Sequence, residues 1–270
     1  MNPISRSYLF VPGDRPERFD KALAAGAHAV ILDLEDAVTP ERKTQARAAI
    51  HEWLAGTQAS VFIRINPAGT PWHEEDCALL ASSAVRGVMA PKAEDVAVLQ
   101  GIAARLRDGQ ELIPLVETVA GYFEAEAIAR VPRVSRLAFG SVDFMSDSGI
   151  EADGEELDAV RTHLVLASRQ AGLRAPIDGV SLVIDDAQQV ERDARRCRRF
   201  GMGAKLCIHP RQVTPVHVAF APRPEEVAWA RRVLAALESG PLGAIAIDGK
   251  LVDKPVALRA QTILAQAPGM

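Results

Sequence analysis

The sequence predicts an α/β fold, a (β/α)₈ TIM barrel with a C-terminal helical extension. Short apolar segments alternate with longer amphipathic ones along most of the 270 residues. Eight such units in series match the number of parallel strands that closes a barrel. Several apolar segments are nearly continuous, as expected for strands covered by helices on one face and by packed core on the other. The predicted strands are Ser7–Val11, Ala29–Leu34, Ser60–Ile65, Gly87–Ala90, Glu111–Val116, Ser135–Phe139, Ala175–Val180 and Ala204–Ile208.

Segments with helical spacing lie between these strands. An open, doubly wound sheet is the alternative arrangement, but it usually carries a glycine-rich GxGxxG motif after its first strand. The corresponding segment here reads VPGDRPER and lacks that motif, so the barrel is favoured. The clearest helical segments are Glu41–Leu54, Glu94–Leu106, Ala120–Ala129, Glu155–Ala171 and Ala187–Phe200.

The pattern changes after the eighth predicted strand. A catalytic barrel is predicted over residues 1–220, and an extension over residues 221–270 that packs on a neighbouring subunit. The extension is surplus to a barrel and has strand, turn and helix signals of its own. These are a proline-rich link at Phe220–Pro224, a helix over Glu225–Leu237, Gly240–Gly243, an apolar run at Ala244–Ile247, a turn at Asp248–Gly249 and a helix beginning near Pro255.

Composition narrows the possible functions. A formal net charge of −4 gives no global positive field that would attract nucleic acid. No apolar stretch approaches the ~18 residues of a membrane span, and the N-terminus lacks the pattern of a signal peptide. The cysteines, Cys77, Cys197 and Cys207, are odd in number and have no CxxC spacing, which indicates reduced thiols. We therefore expect a cytoplasmic protein that binds neither nucleic acid nor membrane.

Polar and ionisable side chains stand at the predicted C-terminal ends of most strands. In a TIM barrel these ends surround the active site. One such group at a strand end is a weak signal, but their convergence at one mouth is a stronger one. The groups are Asp33, Glu35 and Asp36 after strand two, Arg64 and Asn66 at strand three, Lys92 after strand four, Glu117 after strand five, Asp143 after strand six, Asp178 in strand seven and His209 after strand eight.

Glu117 and Asp143 follow consecutive strands, which in a barrel lie about 4.8 Å apart. Two carboxylates that close repel each other unless a cation or a proton lies between them. Hard oxygen ligands without histidine or cysteine favour Mg²⁺ or Mn²⁺. The sequence therefore predicts a magnesium site there. The alternative for Glu117 is a carboxylate that only complements the dipole of the following helix.

Arg64 lies in an otherwise apolar strand, VFIRIN. A buried guanidinium needs an anionic partner, which is either an internal acid such as Asp36 or a substrate carboxylate. Glu35 and Asp36 are candidates for orienting metal-bound water, and otherwise form a solvated strand end. His209 precedes a proline, and a structural hydrogen bond is favoured over a catalytic role.

An ordered set of motifs resembles the citrate lyase β-subunit-like (CitE-like) family of the HpcH/HpaI aldolase superfamily. DLEDAV at Asp33–Val38 is similar to the family's most recognisable signature, and IRIN at Ile63–Asn66 is similar to the segment with its substrate arginine. The resemblance spans essentially the whole chain, up to DGKLVDKP at Asp248–Pro255. The other motifs, in family order, are RSYLFVPGDRPERFDKA, MAPKAED, LIPLVETVAG, LAFGSVDF, APIDGV and GAKLCIHPRQV.

The resemblance implies a role for each matching position. Glu117 and Asp143 match the two Mg²⁺ ligands, and Arg64 matches the arginine that binds the carboxylate of a 2-oxoacid. Asp253 matches an acid that reaches an adjacent subunit's site and handles the proton at the thioester α-carbon. Further matches are Glu35 and Asp36, near the metal waters, and Arg15, Lys21 and Lys92, which would contact the anionic part of a CoA thioester.

The resemblance implies a Mg²⁺-dependent carbon–carbon lyase, with Mn²⁺ as a possible substitute. It would cleave citramalyl-, malyl- or citryl-CoA to a thioester and a 2-oxoacid, as a homo-oligomer, either a trimer or a hexamer. Alternatives are a citryl-acyl-carrier-protein lyase subunit, a malate or citramalate synthase–thioesterase, and a metabolite-binding barrel without catalysis. The run ETVAGYFEA lacks the basic residue that the family often has near Ala120, and GMGAK stands where GFxGK is common. Both departures leave the acyl substrate open.

Overall fold

The computed structural model describes residues 5–239, 245–247 and 250–267. Within them eight parallel strands form a closed barrel, in which each strand pairs with the next and the last pairs with the first. The predicted TIM barrel is therefore confirmed. The strands are β1 (Ser7–Pro12), β2 (Ala29–Asp33), β3 (Val61–Arg64), β4 (Val85–Ala90), β5 (Glu111–Val116), β6 (Ala138–Phe139), β7 (Ile177–Asp178) and β8 (Ala204–Cys207).

Helices follow the strands, and several begin at a residue that satisfies their free amides. Asp95, Thr118 and Asp186 each accept hydrogen bonds from first-turn backbone amides, which stabilises a helix start. Short 3₁₀ turns precede others, with a proline at the first position in Pro16–Arg18 and Pro40–Arg42. The helices of residues 5–220 are α1 (Phe19–Ala24), α2 (Lys43–Gly56), α3 (His73–Ala78), α4 (Val96–Arg105), α5 (Val119–Ile128), α6 (Ser141–Ser148), α7 (Asp158–Gln170), α8 (Ala187–Phe200) and α9 (Val213–Phe220).

The inward-facing side chains of the strands fill the barrel. Large residues such as Phe62 and Met89 lie beside small ones such as Ala138 and Ala204, so the interior is a packed core and not a channel. Ile177 of β7 belongs to this interior cluster. Because successive residues of a strand alternate in direction, Asp178 faces the surrounding helices.

Arg136 lies inside the N-terminal end of the barrel. Its Nη1 donates to the carbonyl of Ser5 at 2.8 Å and to the hydroxyl of Tyr8 at 3.2 Å. Its Nε and Nη2 both donate to the carbonyl of Ala175, at 2.8 and 2.6 Å. These bonds tie together β1 and the segments that lead into β6 and β7.

The strands β6 and β7 are shorter than the sequence predicts. The expected spans were Ser135–Phe139 and Ala175–Val180, whereas the ladder covers two residues in each strand. Near the start of both segments, the guanidinium of Arg136 donates hydrogen bonds to the carbonyl of Ala175. Beyond both strands the chain leaves the sheet at glycine, Gly140 and Gly179.

The chain divides into two compact units, Met1–His217 and Val218–Met270. In the second unit α10 (Pro224–Ser239) and α11 (Lys254–Ala265) contact each other, and β9 (Ile245–Ile247) pairs antiparallel with β10 (Lys250–Val252). The predicted Gly240–Gly243 segment, Ala244 and the Asp248–Gly249 turn lie outside the described residues. In the described parts of the chain, no helix is both long and apolar enough to span a membrane.

Candidate active site

Arg64 and Asp33 form the centre of the site. They are paired neighbours at the C-terminal ends of β3 and β2. Arg64 Nε and Nη2 donate to Asp33 Oδ1 and Oδ2 at 2.7 and 2.6 Å, a bidentate pair. The ring of Phe10 lies 4.7 Å from the Arg64 guanidinium carbon. The sequence indicated Asp36 or a substrate as the partner of Arg64, and it missed Asp33 as the main one.

Glu35 and Asp36 surround the third nitrogen of Arg64. Nη1 lies 2.9 Å from Glu35 Oε2, in an ion pair whose geometry is not that of a hydrogen bond, and 3.5 Å from Asp36 Oδ2. Burial raises the pKa of Glu35 to about 8, with further increases from Glu117 and Asp36, although Arg64 opposes them. Asp36 is exposed. Arg64 Nη1 therefore lies at the edge of the mouth, and its other nitrogens are fixed on Asp33.

Buried Lys43 of α2 holds the backbone of this acidic segment. Its ammonium donates to the carbonyls of Leu34 and Glu35, both at 2.7 Å, and lies 5.3 Å from the ring centroid of Trp72. Asn66 donates to the same Leu34 carbonyl at 3.0 Å. The sequence did not indicate Lys43, because a lysine in an amphipathic helix is ordinarily solvated.

Glu117 follows β5 and is 1% exposed. Its Oε1 accepts a hydrogen bond from the backbone amide of Lys92 at 2.7 Å, whereas its buried Oε2 has no hydrogen-bond partner. Burial raises its pKa to about 7; Asp143 and Asp36 add to the shift, and the Lys92 amide and Arg64 oppose it. A carboxylate oxygen left in this state costs free energy unless a proton or a cation joins it.

Asp143 stands in the first turn of α6, which begins directly after β6. Burial raises its pKa, and the charge of Asp36 raises it further, while Arg64 and Lys92 lower it. Glu117 and Asp143 therefore share one electrostatic environment with Asp36 and Arg64. The structure brings these predicted residues together at one mouth, with Asp143 on a helix and not on the strand end itself.

The donor set fits a hard divalent cation. Among the described residues no three His, Cys, Asp or Glu side chains form a metal-binding group. Mg²⁺ commonly takes one or two protein carboxylates and completes its octahedron with water and substrate oxygens. The unpartnered Oε2 of Glu117 beside Asp143 meets that requirement.

Other predicted residues lie elsewhere. Asp178 pairs with Arg161 of α7 and with Lys205, at 2.8 and 3.2 Å, between barrel and helices. This corrects the expectation that its strand end supplies the mouth. His209 caps the turn at Pro210–Gln212 through a ring nitrogen that accepts the Arg211 amide, which is the structural role expected.

The remaining candidates are exposed. Arg15 lies in the connection after β1, and its Nε is 3.9 Å from Asp14. Lys21 is on α1. Asp253 belongs to the second unit, where it caps α11 by accepting the amide of Val256 at 3.2 Å. The role predicted for it at a neighbouring subunit's site stays a prediction.

The barrel and the ionisable groups at its mouth are those of a (β/α)₈ enzyme, in which the active site lies at the C-terminal ends of the strands. Residues 6–210 match the profile of the HpcH/HpaI aldolase/citrate lyase family, and the chain belongs to this family. A citrate lyase subunit beta-like protein of Mycobacterium tuberculosis is 40% identical over 267 residues, covering 96% of this chain and 94% of the relative. A (3S)-malyl-CoA thioesterase of Cereibacter sphaeroides is 31% identical over 271 residues, covering 97% and 94%.

A solved structure has the same architecture over its full length. CitE from M. tuberculosis, in complex with magnesium, acetoacetate and coenzyme A, has a TM-score of 0.87 and 35% sequence identity, with 100% of both chains covered. The family resemblance seen in the motifs is therefore confirmed. The chain is a lyase of the family whose members include enzymes of CoA esters.

Proposed function

We propose that this protein is a Mg²⁺-dependent lyase that cleaves a β-hydroxyacyl-CoA, namely citramalyl-, malyl- or citryl-CoA, to a thioester and a 2-oxoacid. The observation that carries the proposal is the buried Oε2 of Glu117, which lacks a hydrogen-bond partner in a carboxyl group that interacts electrostatically with both Asp143 and Arg64. The similarity to CitE with bound magnesium and coenzyme A supports the metal and the thioester.

Glu117 and Asp143 would hold the metal, which as a Lewis acid stabilises negative charge on the oxygens of the 2-oxoacid. Arg64 would bind the carboxylate of that acid through Nη1, while Asp33 fixes the plane of the guanidinium. Glu35 and Asp36 would orient water at the rim. In the cleavage a base takes the β-hydroxyl proton, the hydroxyl carbon becomes the keto carbon of the 2-oxoacid, and the electrons of the broken carbon–carbon bond pass to the thioester as an enolate.

Asp253 is proposed to give a proton to the α-carbon of that enolate, which yields the neutral thioester. It would come from a neighbouring subunit, in a homo-oligomer that is a trimer or a hexamer. Arg15 and Lys92, exposed in the β1–α1 and β4–α4 connections, and Lys21, exposed on α1, would contact the anionic part of the CoA thioester. We propose a cytoplasmic location, which the three free, buried cysteines support.

Two alternatives each have support from a specific similarity. The 31% identity to a (3S)-malyl-CoA thioesterase favours a synthase–thioesterase that uses the same enolate chemistry and then hydrolyses the thioester. A citryl-acyl-carrier-protein lyase subunit is a second alternative, supported by 29% identity to the citrate lyase subunit beta of Leuconostoc mesenteroides. A non-catalytic metabolite-binding barrel would release no product from any of these thioesters.

The deciding experiment is an assay of citramalyl-, malyl- and citryl-CoA, and of citryl-acyl-carrier protein, with Mg²⁺ or EDTA, in which the released 2-oxoacid and free CoA are both measured. We expect Mg²⁺-dependent 2-oxoacid release from one substrate. Glu117→Gln should lower kcat/KM at least about 1000-fold, because it removes a ligand charge worth several kcal/mol. Glu124→Gln, at an exposed position on α5, is the matched control and should leave kcat/KM unchanged.

Each of the other outcomes would indicate a different function or contradict part of the proposal. CoA release without 2-oxoacid indicates the thioesterase, and activity restricted to citryl-acyl-carrier protein indicates the complex subunit. Full activity in EDTA would contradict the metal site. A stable monomer in light scattering would contradict the shared-site role of Asp253.

A further inference from the structure

Lys92 has a left-handed backbone conformation. Among the described residues, Lys92 (φ 46°) and Arg133 (φ 66°) are the non-glycine residues with positive φ. This conformation is unfavourable for side chains other than glycine, asparagine and aspartate, and it persists where surrounding structure holds it. Lys92 is the second residue after β4, at the mouth, so this unfavourable backbone conformation lies in the candidate site.

The conformation directs the amide of Lys92 at Glu117. Lys92 N donates to Glu117 Oε1 at 2.7 Å, and the next amide, of Ala93, donates to the carbonyl of Leu115 at 3.1 Å. Two successive amides of the β4–α4 connection thus bind the end of β5. Glu94 accepts the hydroxyl of Thr118 at 2.9 Å and continues the same contact.

Gly140 also approaches Glu117 closely. A β-carbon at position 140 would lie 2.5 Å from the β-carbon of Glu117 and 2.8 Å from its Oε2, so this close approach requires glycine. Glu117 is therefore confined by a backbone amide and a glycine backbone. One oxygen is occupied by the amide, and the other is the unpartnered Oε2.

We infer that the left-handed backbone of Lys92 is a positioning device for the metal ligand: its amide holds Glu117 Oε1, so that Oε2 is directed at the cation. The inference rests on the proposed metal site. It assigns the role to the backbone of Lys92, and the exposed ammonium group has no part in it. The residue at position 92 therefore sets metal affinity through its tolerance of positive φ.

The test is a series of uncharged variants at one position, Lys92→Gly, Lys92→Asn, Lys92→Ala and Lys92→Val. All four remove the ammonium group equally, and they differ in their tolerance of positive φ. The dissociation constant for Mn²⁺ is measured by electron paramagnetic resonance without substrate. We expect the Gly and Asn variants to bind alike, the Ala variant more weakly, and the Val variant at least about tenfold more weakly than Gly.

Arg133 provides the matched control, because it has the same backbone conformation and is itself exposed, in the connection before β6. Arg133→Val and Arg133→Gly should bind Mn²⁺ equally, whatever their difference in melting temperature. If Lys92→Val does not fold, the Gly, Asn and Ala variants still give the ranking.

Equal Mn²⁺ affinity across the four variants would overturn the inference while the metal site stands. A weakening that is the same in Gly and Val would assign the role to the side chain and would also overturn it. A wild-type protein that binds no Mn²⁺ would remove the proposed metal site, and the inference with it.

Discussion

Two buried arginines occupy opposite ends of the barrel interior, and their partners differ in kind. Arg64, 8% exposed at the C-terminal end, lies among carboxylates, with Asp33 as its bidentate partner. Arg136, 2% exposed at the N-terminal end, donates to two backbone carbonyls and to the Tyr8 hydroxyl. Burial alone would lower the pKa of both; carboxylates raise that of Arg64, while that of Arg136 stays lowered.

The ionisable groups around the two arginines shift in opposite senses. At the mouth, burial and then neighbouring carboxylates raise the pKa values of Glu35 and Glu117 to about 8 and about 7. At the other end, burial lowers the pKa values of His28 and His217, and the charge of Arg6 lowers both further. Burial is the largest cause at both ends; the further contribution comes from neighbouring carboxylates at the mouth and from the positive charge of Arg6 at the closed end.

This difference between the partners of Arg64 and Arg136 indicates that the mouth serves ligand binding and that the other end serves folding stability. An excess of carboxylates is costly in a folded chain, and it favours a site completed by a cation. An arginine bound by neutral dipoles has its donors satisfied by the fold and needs no ligand. A lysine keeps the charge of each arginine but changes its hydrogen-bonding geometry. We expect this substitution to lower catalytic activity at Arg64 and folding stability at Arg136.

The largest effect is expected for Arg64→Lys. A lysine keeps the charge but cannot pair bidentately with Asp33 while presenting a further donor to the substrate. We expect kcat/KM for the cleaved CoA ester to fall at least about 1000-fold, or ~4 kcal/mol. Steady-state kinetics checks this, together with urea unfolding. A value within about tenfold of the wild type would show that Arg64 is only a structural ion pair.

Arg136→Lys should lower the stability of the protein and leave its catalytic activity nearly unchanged. A single ammonium group cannot reach the carbonyls of Ser5 and Ala175 and the Tyr8 hydroxyl together, and buried acceptors are left unpaired. We expect the free energy of unfolding to fall by about 2–4 kcal/mol, while kcat/KM stays within about threefold. Exposed Arg133→Lys is the control and should change the unfolding free energy by less than ~0.5 kcal/mol. A loss of kcat/KM without a loss of stability would reverse the assignment of the two ends.

The smallest effect concerns His217, at the closed end. Its Nε2 is 2.8 Å from Ser7 Oγ, and its ring centroid is 4.2 Å from that of His28, with the rings tilted by 53°. Burial, with further contributions from the charges of His28 and Arg6, lowers its pKa to about 4. The unfolded chain takes up this proton near pH 6.5, so stability is full above that pH and declines as the pH falls towards 4.

Because His217 is half-exposed, we expect only ~1 kcal/mol of destabilisation between pH 7 and pH 5 from this residue. Urea unfolding at the two pH values, for the wild type and for His217→Gln, measures it. The variant should lose part of the dependence. An identical slope in both proteins would show that the pKa of His217 is not lowered in the folded protein.

The barrel and the position of its mouth follow from patterns that a sequence contains. The alternation of apolar and amphipathic segments predicts eight strands, and Glu117 and Arg64 stand at strand ends whatever the details of packing. The contacts that each of these side chains makes could not be predicted in this way, because they depend on the register between neighbouring strands. Asp33, Glu35 and Asp36 are equivalent as a run of acids, and only the pairing of β2 with β3 selects Asp33 as the partner of Arg64.

Three further features depend on contacts between distant segments. Lys43 becomes a ligand of two carbonyls only when α2 contacts the end of β2. Asp178 faces outward because of the phase of a two-residue strand, which the longer predicted strand did not define. The backbone amide of Lys92 contacts Glu117 only in the folded barrel, and a lysine in the sequence does not indicate a positive φ.

The hydrogen bonds of Arg136 also bear on the order in which products leave the barrel. Together with the filled interior, they close the N-terminal end of the described barrel, so that ligands enter and leave through the mouth. In the proposed reaction the 2-oxoacid lies deeper, at Arg64, and the thioester extends outward. A closed end thus makes dissociation sequential, with the outer product departing first and the inner one last.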